Sequence, residues 1–146
     1  MKGFTLIEAM LVIAITLMII LFAIPTYKNL QITKNIDSTV ALATQTIRIA
    51  QQNSIARVNN SKYGVKFLSN SFVLYQGISY NQRDADYDRI NNFDTTINFS
   101  TDLINDDVMF SRGLGMPIST GTITLINDRE EERKIKINNF GIIDSL

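Results

Sequence analysis

Residues 2 to 8 read Lys-Gly-Phe-Thr-Leu-Ile-Glu, and an uncharged apolar run follows from Ala9 to Ile24. Two pieces of chemistry lie here. The Gly3-Phe4 bond, four residues ahead of a carboxylate, has the form of a processing site. The carboxylate itself, Glu8, sits one turn into a segment of membrane grade. An ionisable group at such a place is expensive and as a rule functional.

The segment that must position Glu8 has the properties of a membrane helix. Between Ala9 and Ile24 lie ten residues drawn from Leu, Ile, Val and Phe. Each favours insertion by roughly 0.3 to 0.6 kcal/mol, about 3 to 6 kcal/mol together, against roughly 2.5 to 3.5 for an acid at the helix centre. Glu8 is near one end, where the penalty is smaller, so insertion wins. A helix from Phe4 to Tyr27 would be about 36 Å long, enough to span a bilayer. Lys2 favours a cytoplasmic N-terminus.

The string Gly3-Phe-Thr-Leu-Ile-Glu8 resembles the N-terminus of type IV pilins and of the pseudopilins of type II secretion and DNA-uptake machines. Precursors of that family carry a short basic leader ending in Gly, here Met1-Lys2-Gly3. Their first mature residue is usually Phe, here Phe4. A Glu sits four residues on, here Glu8, and a Pro often closes the apolar run, here Pro25.

The resemblance implies cleavage after Gly3 by an aspartyl prepilin peptidase and methylation of the new amine on Phe4. Lacking a Cβ, Gly3 lets the backbone lie flat in a protease site. It also implies that the Glu8 carboxylate pairs with the Phe4 amine of a neighbouring subunit. Opposite charges attract strongly in a low dielectric, and each alone is costly there, so pairing fixes axial register. Two plainer readings compete. A secretory signal peptide fits Lys2 and the apolar run, but not Glu8, and Ala23-Ile24-Pro25 is a poor cleavage site. An unprocessed single-span anchor leaves Glu8 idle in the headgroup zone.

Composition narrows the rest. The 146 residues contain no Cys and no His. Disulfides cannot form, and ordinary zinc sites, Ser-His-Asp and Cys-His catalysis are excluded. No paired carboxylates or nucleophile–base set stands out, so an enzyme is not expected, and no cofactor is. The chain carries 14 basic and 14 acidic residues. Setting aside Lys2 and Glu8 leaves 13 of each, so composition announces no basic face for nucleic acid.

Beyond Pro25 the apolar positions Ile32, Ile36, Val40, Ala43, Ile47, Ala50 and Ser54 recur every three or four residues, with Lys34, Asp37, Gln45, Arg48 and Gln52 between them. This is an amphipathic helix with one buried stripe. Pro25 removes a backbone hydrogen bond and should bend the helix there or mark a point where it opens. Asn59-Asn60-Ser61 is its stop. After Ser61 the period becomes two. Strands are expected at Tyr63–Phe67 and Phe72–Tyr75 around a Ser69-Asn70 turn. Further strands are expected at Thr95–Phe99, Asp107–Ser111, Thr120–Asn127 and Arg133–Asn138, with a last short one at 140–143. Residues 76–93 read as a long surface loop. The organisation is therefore leader 1–3, hydrophobic helix 4–27, amphipathic helix 28–60 and antiparallel β domain 61–146. The fold class is α+β, a long helix packed on an antiparallel sheet. That order resembles the pseudopilin and minor-pilin group that includes the type II secretion H subunit, FimT and FimU.

Three further groups are candidate sites. Asp84, Asp86 and Asp88 alternate like the start of a calcium loop, but Arg89 and Thr95 stand where that loop needs Gly and Glu. A solvated acidic segment is the competing account. Arg129, Arg133, Lys134 and Lys136 form the densest basic cluster and a candidate for DNA phosphates. Glu130 to Glu132 interrupt it, and alternation of Lys134 and Lys136 with Ile135 and Ile137 describes a solvated strand face equally well. Tyr75, Tyr80, Tyr87 and Phe93 either anchor a partner or cover the core.

The expected function is a structural subunit, a minor pilin or pseudopilin, of a type IV filament system: type IV pilus, type II secretion pseudopilus or competence pilus. The alternative is a competence pilin that captures DNA directly. The resemblance implies other such subunits, the peptidase and an inner-membrane assembly platform as partners. It places the chain in the inner membrane as a single-pass protein before assembly, and in a periplasmic or cell-surface filament after it.

Overall fold

The computed structural model describes residues 3–146, the side chains of 23–26 and 29 excepted. One helix, α1 (Leu6–Ile55), is followed by eight strands: β1 (Tyr63–Leu68), β2 (Ser71–Gly77), β3 (Arg83–Asn92), β4 (Ile97–Thr101), β5 (Asp107–Phe110), β6 (Gly121–Asn127), β7 (Glu132–Ile137) and β8 (Ile143–Ser145). The fold is α+β, and the chain divides into two compact units at Lys34–Asn35.

The first unit is helical. Thr5 precedes α1, and its hydroxyl accepts a hydrogen bond from the Glu8 N–H at 3.4 Å. Thr at the cap with Glu three residues later is the capping-box spacing, and an acid in the first turn complements the helix dipole. Helical backbone continues through position 25. The Pro25 ring and the leader residues Met1 and Lys2 lie outside the described residues.

The second unit buries the expected stripe. Ile36, Val40, Ala43, Ile47, Ala50 and Ser54 are all buried, while Gln45, Arg48 and Gln52 are exposed. The helix ends at Ile55, short of the expected stop at Asn59-Asn60-Ser61, because backbone of the left-handed kind takes over, at Arg57 (φ 52°), Asn59 (φ 48°) and Asn60 (φ 53°). The buried Ser54 hydroxyl accepts from the Tyr63 N–H at 3.0 Å, tying the helix end to β1.

Two antiparallel four-stranded sheets pack against this stripe in place of the single sheet expected, with orders β3-β2-β1-β5 and β4-β6-β7-β8. Both supply the core: Val65, Phe67, Phe72 and Leu74 from the first, Ile97, Ile123, Leu125, Ile135 and Ile137 from the second. Inward apolar residues alternate with outward polar ones along β6 and β7, which is what one buried face requires.

Residues 76–93 are not a long loop. A short turn at Tyr80–Gln82 leads into β3, ten residues paired with β2 from Ser71↔Asn92 to Gly77↔Arg83. The pairing slips between Leu74 and Gln76, where β3 bulges. β3 is an edge strand that buries no side chain fully. Its stability comes from main-chain pairing, and its charges guard an open edge, so it leaves no apolar alternation to read. Two smaller differences have local causes. β4 starts at Ile97, two residues late, because the Asp94 carboxylate accepts the Thr96 N–H (3.0 Å) and turns the chain. β8 starts at Ile143, because Asn138 Oδ1 accepts the N–H groups of Phe140 and Ile142, both at 2.9 Å, and holds 138–142 as a turn.

Candidate functional site

The apolar N-terminal run lies open along its described length. Phe4, Leu6, Ile7 and every described Leu, Ile, Val, Met and Phe from Met10 to Phe22 are exposed. Glu8 lies on this surface in the first turn of α1, and among the described residues it has no ion-pair partner. Gly3 and Phe4 precede the helix in irregular, exposed backbone. The capping role of Thr5 beside Glu8 was legible as Thr-x-x-Glu and is an addition to the sequence reading. Among the described residues no helix is long and apolar enough to cross a membrane.

The aspartates of β3 are not gathered around a common point. Residues at alternate positions of a strand stand roughly 6 to 7 Å apart in a row, so their carboxylates do not converge. Asp88 is committed to Arg83 at 2.7 Å, and Asp84 accepts the Asp86 N–H at 3.2 Å. Among the described residues no group of three acidic side chains is arranged to hold a metal ion.

The basic candidates are similarly dispersed. Lys134 and Lys136 point outward from β7 while Ile135 and Ile137 are buried. Lys134 pairs with Glu132 at 3.2 Å, and Arg133 pairs across to Asp37 of α1 at 2.9 Å. The cluster is a solvated strand face with its charges partly neutralised on the spot.

Of the four aromatic candidates, three are packed within the globular unit, Phe93 against the core cluster and Tyr75 with Tyr80 on the other face of β2. Tyr75 is fully buried, Tyr80 packs edge-on against it at 5.6 Å with the Arg83 guanidinium 3.9 Å above its ring, and Phe93 stacks on Phe72 at 6.2 Å. Tyr87 alone remains half exposed, 51 %. The Tyr75 hydroxyl donates to both carboxylate oxygens of Asp107, at 2.9 and 2.8 Å. Burial pushes both ionisations upward. The neighbouring Asp107 charge raises Tyr75 further, whereas the Tyr75 hydrogen bond and Lys66 partly restrain the rise at Asp107. A second buried polar group centres on Gln76, whose Oε1 accepts from the Tyr63 hydroxyl (2.8 Å) and the Asn59 amide (2.9 Å). Both clusters are satisfied, tightly packed side-chain networks of a structural kind.

Comparison with protein-family models, with curated proteins and with solved structures finds no match.

Proposed function

We propose that the chain is a prepilin-like structural subunit, a minor pilin or pseudopilin, of a type IV filament system. It is cleaved after Gly3, methylated on Phe4 and assembled through its N-terminal helix. The observation that carries this reading is the exposed apolar surface from Phe4 to Leu21, with a lone carboxylate in its first turn. A surface of that size is not left to water, since exposed apolar patches mark membrane or protein contacts. Lipid covers it before assembly and neighbouring helices cover it afterwards. Glu8 then has a reason to sit there. Cleavage at Gly3-Phe4 creates an amine that a neighbour's Glu8 neutralises in a low-dielectric environment.

The globular unit suits a structural role on this reading. Its polar networks hold strands together, and Lys134, the centre of the basic cluster, is already paired with Glu132. The DNA-capturing alternative therefore gains no support from β7. Intact-mass analysis of the chain extracted from membranes tests the proposal. The expected mature protein starts at Phe4 and carries one added methyl. An intact Met1, or a cut near Pro25, would overturn it.

A further inference from the structure

The second unit is polar in the electrical sense, with unlike surfaces at its two ends. One end surrounds the C-terminus of α1. There the turn 112–117 is anchored by the Gly113 N–H on the Ser54 carbonyl at 2.8 Å. The Gln51 amide donates to Gly115 O and Gly141 O at 3.0 and 2.9 Å, which brings the turn at 138–142 alongside. These two turns hold up Leu114 and Phe140, exposed by 73 % and 79 %, with Ile55 and Ile142 beside them. Arg57 and Arg112 flank the patch. Arg112 bonds only the neutral Asn60 carbonyl and side-chain oxygens, and neither arginine has an ion-pair partner among the described residues.

The other end lies where Arg133 meets Asp37, 17 positions earlier on α1 than Ser54. At 1.5 Å per residue the two ends are about 25 Å apart. Here the β6–β7 hairpin projects Asp128, Glu130 and Glu131 beside Arg129, while the next two bases are engaged, Arg133 with Asp37 and Lys134 with Glu132. Asp128 and Glu130 are exposed and without an ion pair among the described residues. Leu42 and Leu146 supply exposed apolar surface at the same end.

We infer that the Leu114–Phe140 patch with Arg57 and Arg112 docks on the acidic β6–β7 hairpin of a second copy, so that globular units stack head to tail along the helix direction. The inference rests on the filament reading and deepens it by naming a second contact, outside the apolar helix. Three considerations favour a second copy as occupant. One chain carries both complementary halves. They face opposite ends, so neither can satisfy the other within the chain. An interface between two different patches does not close on itself, and it propagates in one dimension.

The absence of cysteine in the native sequence makes the test clean. Full-length Phe140→Cys and full-length Asp128→Cys are produced together, and the membrane fraction is oxidised. Both positions are exposed surface turns, so the core is untouched. The expected product is a mixed 140–128 disulfide that exceeds either homodimer. It should be lost with Arg57→Glu plus Arg112→Glu and regained, at least in part, when Glu130→Arg is added. No mixed adduct, or an equal yield of 140–140 dimers, would overturn the stacking. The N-terminal mass of the same sample separates the two proposals. A chain that starts at Phe4 but gives no mixed adduct defeats only the stacking. A mixed adduct from a chain that keeps Met1 supports the stacking and defeats the filament reading.

Discussion

The hydroxyl of the fully buried Tyr75 on β2 donates to both oxygens of Asp107 on β5, although β1 runs between their strands. The bond crosses the sheet over Gly64, where any Cβ would strike the Tyr75 ring. It also makes one contribution to the pH response of the unit. The Asp107 carboxyl titrates above its ordinary value, chiefly because burial penalises the anion. The folded state therefore holds its proton more tightly than the unfolded state. Stability contributed by the protonated form is fully present below the unfolded value near 3.8 and is lost as pH rises through the folded value. Tyr75→Phe removes a hydrogen bond that restrains this rise. The variant should lose roughly 1 to 3 kcal/mol at neutral pH, and the loss of stability with rising pH should extend to higher pH than in the wild type. Thermal melts of both proteins from pH 3 to 8 check it. Parallel curves would show that Asp107 does not titrate against Tyr75.

Gln51 is a second pivot. Its amide joins the turns at Gly115 and Gly141, and both glycines have left-handed backbone, φ 65° and 78°. At Gly115 a side chain would also run into Ile55. Gln51→Ala should cost about 1 to 3 kcal/mol and loosen both turns, since it frees two carbonyls held by the two N–H groups of one amide. Hydrogen exchange should speed up together in 112–117 and 138–142 and remain unchanged in β1 and β2. Acceleration in only one turn would mean that the amide does not couple them.

How far the sequence could be read depended on burial. The stripe from Ile36 to Ser54 was legible because a helix with one dry face must repeat its apolar residues every three or four positions. β1, β6 and β7 were legible because one face of each is buried, and β2 because its apolar run Phe72–Tyr75 is buried on both faces. β3 was not, because both of its faces are open and it is held by main-chain bonds that leave no mark on side-chain type. The split into two sheets was hidden for another reason: pairing partners such as Ile97↔Asn127 and Tyr63↔Phe110 are long-range choices that no local pattern encodes. At the site, the Thr5-x-x-Glu8 cap and the exposed run were readable from local sequence. The Gln51 clip and the Tyr75–Asp107 bond were not, since each joins residues far apart in the chain.

Ile47 is the sharpest test of the helix stripe. It is fully buried in the core shared by both sheets. Ile47→Asp would place an unpaired charge there, at a cost of several kcal/mol, comparable with the 5 to 15 kcal/mol that typically stabilises a whole domain. A fragment comprising residues 35–146 should fold with mixed α and β content, because the residues of the core cluster all lie within it. The Ile47→Asp form of that fragment should be largely unfolded at 37 °C by circular dichroism. An unchanged melting temperature would mean that the stripe faces elsewhere.

Glu8 separates insertion from assembly. Its side chain lies in the unit that ends at Lys34 and takes no part in the core cluster, so Glu8→Val should leave the globular fold unchanged. Removing a charge from an apolar segment also makes insertion easier, by up to roughly 3 kcal/mol. If the carboxylate exists to neutralise a neighbour's Phe4 amine, the same change leaves that amine unpaired wherever helices pack together, and assembly should fall sharply. Glu8→Gln keeps the shape and the Thr5 hydrogen bond to the backbone of residue 8, yet removes the charge, so it should assemble as poorly as Glu8→Val. A purely capping role predicts the opposite, near-normal behaviour for Gln, because Gln serves at the third position of a capping box. The measurement is the fraction of full-length protein in sheared filaments relative to membrane. Wild-type levels for Glu8→Gln would reduce Glu8 to a helix cap.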